Sequence, residues 1–168
     1  MNTFGQEIEF KVMNQLLGEY ACKIDPKGRL RLPSGLLEQL ASDERDNFVV
    51  NRGMEKCLVL YPKKVWDEKS AQVNQINEFD TNARLFKRAF YRGATPLKRD
   101  SADRLNFPNQ LLEWAGIMEG DGEVMLAAVN DKVEIWSTAE YEKQLNEELD
   151  MAQLAQIVMA DKGVAKPL

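Results

Sequence analysis

Hydrophobic and polar residues alternate along two short stretches that lie 75 positions apart in the chain. In the first stretch, apolar residues occupy every second position of 20–24, and Leu30 and Leu32 alternate with Arg29 and Arg31. An apolar period of two residues predicts a pair of half-buried strands. The Asp-Pro-Lys-Gly sequence between them carries the residues that a type I turn prefers. This stretch therefore predicts a β-hairpin whose exposed face is basic.

The chain is a tandem duplication, because many of its residues recur at a constant offset of 75 positions. Residues 18–33 and 93–108 share Gly, Lys, Asp, Arg, Leu and Pro at matching places, and the hydrophobic segment 57–61 recurs at 132–136. A fixed period is the signature of repeated structural units. We therefore expect two copies of one β-rich unit, related by a pseudo-twofold axis.

Apolar residues at helical spacing follow the strands of each repeat. Ser34 and Asn109 each follow a proline and are predicted to cap short helices. Longer helices are predicted over 63–79, from Asp80 or Thr81 to Phe90, from Thr138 through Leu149, and over 151–158, before a disordered end at 162–168. The predicted domains are an extension at 1–17, a first repeat at 18–92, a second repeat at 93–143 and a helical tail at 144–168.

Composition removes several classes of chemistry. The chain of 168 residues has no histidine, and its two cysteines, Cys22 and Cys57, lie far apart. This excludes a histidine base and argues against a zinc site. We predict no catalytic residue, metal or cofactor, although an enzyme that uses carboxylates stays open as an alternative. No segment approaches the ~20 apolar residues of a membrane span and no secretory signal is visible, so a cytoplasmic protein is expected.

The net charge of -5 weighs against a uniformly basic nucleic-acid binder, but the charges are segregated. Residues 84–104 contain seven cations and two acids, whereas residues 140–150 contain five acids and one lysine. The hairpin at 23–31 contains four cations and one acid. Any DNA-binding role must therefore rest on a local basic patch.

The sequence Asp-Pro-Lys-Gly-Arg-Leu at 25–30, followed by Pro33, resembles the MraZ family, in which an Asp-x-x-x-Arg hairpin occurs once per repeat. The match extends to 57–62, 90–94 and 134–136. The resemblance implies an α+β fold of tandem duplicated, swapped-hairpin β-barrel units of the AbrB/SpoVT type with flanking helices. It also implies a ring-like homo-oligomer, associated with the nucleoid, that binds short G-rich direct repeats in double-stranded DNA upstream of division and cell-wall operons.

The resemblance makes Arg29 and Arg104 the expected DNA contacts, because the arginine of each motif contacts DNA in the family. Arginine can pair bidentately with guanine in the major groove, and lysine suits phosphate contacts. Further expected DNA contacts are Lys23, Lys27, Arg31, Lys98 and Arg99, and the expected turn residues are Asp25, Gly28, Asp100 and Asp103.

The second turn departs from the first, because Asp103 stands where the first turn has Gly28. Aspartate tolerates positive φ better than most residues, so the turn is expected to survive. The Asp103 carboxylate is expected to compete for the guanidinium of Arg104. Arg104 is therefore predicted to be the weaker DNA contact.

Two function classes compete with an enzyme on this evidence. One is a transcriptional regulator that binds DNA through paired basic hairpins, and the other is an antitoxin-like module of the same fold that binds another protein. The alternative for the hairpin arginines is that they are solvated side chains on an exposed face and bind nothing. Aromatic residues that recur in both repeats are expected in the core or at a subunit interface, and they favour an oligomer larger than a dimer.

Overall fold

The computed structural model describes residues 15–118, 121–146 and 148–160. The predictions for residues 1–14 and 162–168 lie outside these ranges. In chain order the elements are β1 (Glu19–Lys23), β2 (Arg29–Arg31), α1 (Ser34–Leu37), a 3-10 turn (Ser42–Glu44), β3 (Asn47–Arg52), β4 (Leu58–Pro62), α2 (Lys63–Asn74), α3 (Thr81–Tyr91), β5 (Thr95–Lys98), β6 (Arg104–Asn106), α4 (Asn109–Trp114), β7 (Glu123–Val129), β8 (Lys132–Ser137), α5 (Thr138–Gln144) and α6 (Met151–Ala160).

The strands of the two repeats are exchanged within one antiparallel sheet. Its strand order is β1-β7-β8-β4-β3-β5, and β2 pairs with β6 in a separate two-stranded ribbon. The first strand of each repeat pairs with the third strand of the other, because β1 pairs with β7 and β5 pairs with β3. Neither repeat completes the sheet alone. The predicted α+β fold of swapped hairpins is confirmed.

A pseudo-twofold axis passes through two residue pairs in which each residue faces its own counterpart. In the ribbon Leu30 pairs with Leu105, and in the sheet Val59 pairs with Glu134. Both pairs join positions 75 apart, so the internal symmetry inferred from the sequence is also the symmetry of the fold.

The offset between the repeats is not constant throughout. Val50 pairs with Leu60, but Leu126 pairs with Ile135, so β7 is shifted by one residue relative to β3. The turn after β7 takes up this one-residue shift. There β7 and β8 pair up to a two-residue turn, in which Asn130 has a φ of 58°. Positive φ is what such a tight hairpin turn requires, and asparagine tolerates it.

The main core lies between the ribbon and one face of the sheet. Leu30 and Leu105 of the ribbon and Leu126 and Ile135 of the sheet are completely buried there. The opposite face of the sheet carries a smaller cluster of Cys57, Val59, Tyr61 and Trp136, against which Trp66 and Tyr141 pack. Alternate residues of β4 therefore pack on opposite faces of the sheet. The ribbon buries its two leucines, and its other side chains point away from the core.

Four predicted helix limits are wrong. The helix predicted over 63–79 ends at Asn74, because the side chain of Asn77 bonds the backbone N–H of Phe79 and Asp80 caps the next helix. Short polar side chains that bond nearby backbone in this way compete with a continuing helix. In the second repeat, α5 ends at Gln144. Ser34 and Asn109 are the first residues of their helices, and the preceding prolines occupy the N-cap positions without a side-chain bond.

Gly28 has a φ of +84°, and a Cβ at this position would lie 2.9 Å from the carbonyl oxygen of Phe107. We expect Gly28→Ala to lower the free energy of unfolding by about 1–3 kcal/mol, since it adds both backbone strain and a backbone clash. Gly35→Ala is the matched control, because that Cβ would meet only the Tyr20 ring at 3.4 Å. Urea unfolding measures both, and equal stability of the two variants would contradict the expectation.

Candidate nucleic-acid interface

The first hairpin turn holds Arg29 in a fixed position through Asp25. One carboxylate oxygen of Asp25 accepts hydrogen bonds from the backbone N–H groups of Lys27 and Arg29, both at 2.9 Å. The other accepts from Nε of Arg29 at 2.7 Å. Gly28 closes the turn with a backbone bond to the carbonyl of Asp25 at 2.9 Å. A β-turn is therefore present at the predicted position, and the same aspartate that starts it also orients the arginine.

The second hairpin repeats this arrangement atom for atom. Asp100 accepts from the backbone N–H groups of Ala102 at 2.8 Å and Arg104 at 2.9 Å. Its other oxygen accepts from Nε of Arg104 at 2.9 Å. Asp103 takes the place of Gly28 with a φ of 61°, as expected for an aspartate in a left-handed position.

In each hairpin the aspartate carboxylate binds Nε of the arginine, and we call this Asp-Arg arrangement the lock. Both locks leave the outer end of the guanidinium, with its two Nη atoms, available. In the described part of the chain, neither Arg29 nor Arg104 donates a hydrogen bond from its Nη atoms. About a third of each side chain is exposed, 32% for Arg29 and 36% for Arg104. Each hairpin therefore presents the two Nη atoms of an arginine whose Nε is held in place. This arrangement suits an acceptor that takes two hydrogen bonds side by side.

The two hairpins meet in the β2–β6 ribbon. Arg29 pairs with Asn106 and Arg31 pairs with Arg104, while the leucines between them point into the core. Because side chains alternate across a strand, these four residues share the outer face of the ribbon. Asn106 was missed by the sequence analysis, although it lies 75 positions after Arg31. Asparagine and arginine are the side chains best suited to adenine and guanine edges.

The predicted lysine contacts lie around this ribbon. Lys23 ends β1, Lys98 ends β5, and Lys27 lies in the first turn. All three side chains are exposed, as is Arg31. The surface around the ribbon is therefore basic, although the whole chain is acidic.

Arg99 and Asp103 are joined to each other, and this corrects the expectation for Arg104. Arg99 donates from Nε to the carbonyl of Arg45 at 2.6 Å, from Nη2 to Asp46 at 2.7 Å, and from Nη1 to Asp103. The Asp46 carboxylate, followed by that of Asp103, raises the pKa of Arg99. Asp103 thus ties the second turn to the loop before β3, and Arg104 pairs with Asp100 instead. The prediction that Asp103 competes for the guanidinium of Arg104 is wrong.

The turn aspartates are stabilised in their ionised form. The backbone N–H of Arg29 is the main reason that the pKa of Asp25 lies below its ordinary value, and the backbone N–H of Arg104 does the same to the pKa of Asp100. Hydrogen bonds to a carboxylate favour its charged state. Both locks are therefore present at neutral pH.

Other kinds of site find little support among the described residues. Within residues 15–118, 121–146 and 148–160, no group of three or more potential ligands could hold a metal ion. In the same ranges no helix is long and apolar enough to cross a membrane. Burial raises the pKa of Cys57 to about 12 and also raises the pKa of Cys22, so neither thiol is activated as a nucleophile.

These features define a duplicated swapped-hairpin protein with a basic two-stranded ribbon. The family model described as "MraZ protein, putative antitoxin-like" matches residues 15–89 and again 90–159. Proteins named Transcriptional regulator MraZ from Christiangramia forsetii and Flavobacterium psychrophilum are 38% and 34% identical over 151 residues, which is 89% of this chain and 96% and 94% of theirs. One from Cytophaga hutchinsonii is 35% identical over 144 residues, 85% of this chain and 93% of its own. The chain belongs to the MraZ family.

Proposed function

We propose that this chain is a sequence-specific DNA-binding transcriptional regulator. It binds short direct repeats upstream of a division and cell-wall operon, its own operon included, and acts in the cytoplasm at the nucleoid. The observation that carries the proposal is the ribbon, in which two identically locked arginines share one exposed face with Arg31 and Asn106. The names of its relatives, which are transcriptional regulators, support the same conclusion.

The ribbon suits the major groove of DNA, which is wide enough to admit a two-stranded β-ribbon. Arg29 and Arg104 donate from their outer nitrogens to guanine O6 and N7, while Arg31 and Asn106 contact the neighbouring base edges. Lys23, Lys27 and Lys98 bind phosphates and fix the register of the ribbon on the duplex. The ribbon strands have three residues each, so one chain covers only a short base sequence.

A ring-like homo-oligomer supplies the affinity that a single ribbon lacks. Several ribbons on one assembly engage successive repeats of the same duplex, and each bound ribbon raises the effective concentration of the next. The assembly also resolves the net charge of -5, since the ribbons face the DNA while acidic surfaces lie elsewhere.

The test is fluorescence anisotropy with labelled DNA from upstream of the protein's own gene and with a scrambled duplex, over a series of salt concentrations. We expect tighter binding to the natural sequence at every salt concentration. We also expect log K to fall with log salt by about 0.9 for each phosphate neutralised. Equal binding to both duplexes would overturn the proposal of sequence specificity.

An antitoxin-like module that binds another protein is the second candidate. The observation that favours it is α6, all of whose residues are exposed although most of them are apolar. If the protein bound neither the natural nor the scrambled duplex at low salt, this candidate would be favoured.

A further inference from the structure

Two grooves lie on the sheet face opposite the ribbon, one in each repeat. Groove 1 has a volume of about 620 Å³ and groove 2 of about 510 Å³. Val59 and Tyr61 line groove 1, and their counterparts 75 positions later, Glu134 and Trp136, line groove 2. The two grooves therefore occupy equivalent places about the pseudo-twofold axis.

One wall of groove 1 is formed by α3, the helix that leads into the first strand of the second repeat. Phe86, Ala89 and Phe90 of this helix line the groove. The Phe90 ring stacks on Trp66 of α2 with 5.6 Å between the ring centroids, and the Tyr91 ring meets Trp66 edge-on at 5.9 Å. Thus α3 is docked on α2 and closes groove 1 on that side.

The segment equivalent to α3 in the first repeat is residues 6–16, which lie 75 positions earlier and lead into β1. Its last residue, Leu16, is 1% exposed, and the N–H of Leu16 donates to the carbonyl of Asn130 at 2.7 Å. Asn130 follows Val129, which lines groove 2. Residues 1–14 are therefore tethered at the rim of groove 2.

The inward positions of α3 correspond to apolar residues in this segment. Ala83 of α3 is buried, and Lys87, four residues later, is half-buried. Their counterparts 75 positions earlier are Ile8 and Val12, and the buried Leu16 follows after four more residues. Apolar residues at this spacing predict an amphipathic helix whose apolar stripe faces the protein.

Groove 2 exposes apolar side chains beside a group of carboxylates. Val129 and Leu145 line it and are 39% and 53% exposed. The carboxylates of Glu19, Glu55 and Glu134 line it as well, and none of the described residues that line it is a cation. Like charges gathered in one place favour the approach of a cation. The complementary partner of groove 2 therefore combines apolar side chains with a positive charge.

We propose that residues 6–14 of the same chain form a helix equivalent to α3 and dock on groove 2. The apolar stripe of Ile8 and Val12 then covers the exposed apolar residues of the groove. Lys11 is the only lysine or arginine among residues 1–14, and its counterpart in α3 is Phe86, which lines groove 1. The same placement directs Lys11 into groove 2, toward its three carboxylates.

This helix completes the pseudo-twofold symmetry on the sheet face opposite the ribbon. Because α5 (Thr138–Gln144) is shorter than α2 (Lys63–Asn74), the helix packs mainly on the groove itself. The inference concerns how the chain covers its own sheet, and it does not depend on the proposed DNA binding.

The experiment is carbodiimide cross-linking of the full chain, followed by mass spectrometry of its peptides. A carbodiimide joins a lysine amine to a carboxylate without a spacer, so a link forms only between groups in contact. Isotopically heavy and light protein are refolded together, so a link between two copies combines both isotopes. We expect Lys11 to link to Glu19, Glu55 or Glu134 within one isotope. Lys11→Arg is the control, because it keeps the charge and removes the reactive amine.

Two matched variants test which face of the helix docks. Ile8→Glu/Val12→Glu places charges on the docking face, and Phe10→Glu/Met13→Glu places the same charges at the counterparts of exposed residues of α3. We expect the first variant to lose the Lys11 links and the second to keep them. Cooperative urea unfolding of each variant shows that the rest of the chain is folded.

Three results would overturn the proposal. Links of Lys11 only to carboxylates outside groove 2, or no links at all, would place the segment elsewhere. Links that combine both isotopes would mean that the segment of a second copy fills the groove. Equal yields of the links in the two glutamate variants would contradict the assigned face. The ribbon is unaltered in every variant, so each of these results leaves the DNA-binding proposal intact.

Discussion

Replacing Arg29 with Ala in every copy is expected to abolish specific DNA binding while the assembly stays intact. An arginine-guanine pair contributes about 1–3 kcal/mol of discrimination at one site. Loss of one pair per ribbon multiplies across an assembly in which several ribbons engage one duplex. Arg29→Lys is expected to keep the charge and the non-specific binding but to lose specificity, because lysine has neither the Nε donor that Asp25 holds nor the planar guanidinium fork.

Arg104→Ala is expected to cost as much as Arg29→Ala, since Asp100 holds Arg104 with the same three bonds by which Asp25 holds Arg29. Lys56→Ala is the matched control, because it removes an exposed cation that lies outside the ribbon. The measurement is anisotropy against the natural and scrambled duplexes at matched salt. Full specific affinity in Arg29→Ala would mean that Arg29 is a solvated surface charge.

The local structure of the hairpins could be predicted because it depends on residues close in sequence. Asp25 and Gly28 are three positions apart, and the alternation around Leu30 fixes which side chains face the core. The internal repeat then predicts a second hairpin of the same kind and a pseudo-twofold axis that relates the two hairpins. These arguments need only turn chemistry and a period of two.

The partner of Asp103 could not be predicted, because it depends on contacts between distant segments. Its neighbour in sequence is Arg104, but Arg99 lies closer in space and is also held by Asp46, 53 positions earlier in the chain. Asp103 lies in the turn before β6 with a φ of 61°, whereas Arg104 is the first residue of the strand and pairs with Asp100. Only the pairing of β5 with β3 brings Asp46 and Arg99 together.

The same limit applies to Asn106 and to the cations that line one groove of the sheet. Asn106 acquires a role only when β6 is paired with β2 and places it beside Arg29. The cations at 52, 69 and 92 are scattered in sequence and converge because a strand, a helix and the residue after α3 meet at one groove. No periodicity in the sequence reveals such a meeting.

The two repeats are alike at one end of the pseudo-twofold axis and differ at the other. At the ribbon end both repeats keep the same lock, so the two hairpins can act alike on one binding surface. On the opposite face of the sheet the repeats differ in charge, because Arg52 and Lys69 of the first repeat correspond to Ala128 and Gln144 of the second. The two repeats are therefore alike where the proposed DNA contacts lie, and they differ in charge on the opposite face of the sheet.

Replacing Asp25 and Asp100 with Asn is expected to weaken specific DNA binding by roughly tenfold or more. Simple electrostatics predicts the opposite, because removal of two acids next to the phosphates raises the local potential. We expect positioning to dominate, since an amide can no longer accept from both backbone N–H groups and from Nε of the arginine as a carboxylate does. The guanidinium then loses its fixed orientation toward the base edge.

Asp43→Asn is the control, because it removes an exposed acid outside both hairpins. The locks also have a pH dependence of definite sign. Because the pKa values of Asp25 and Asp100 are lowered in the folded state, their contribution is fully present above the ordinary aspartate pKa and disappears as pH falls through the lowered values. Carbon-detected NMR titration of the two carboxyl groups measures those pKa values in the wild type, and anisotropy compares the variants at neutral pH. If the Asp25→Asn/Asp100→Asn protein bound the natural repeats more tightly than wild type, the net charge of the ribbon would govern recognition and its locked geometry would not.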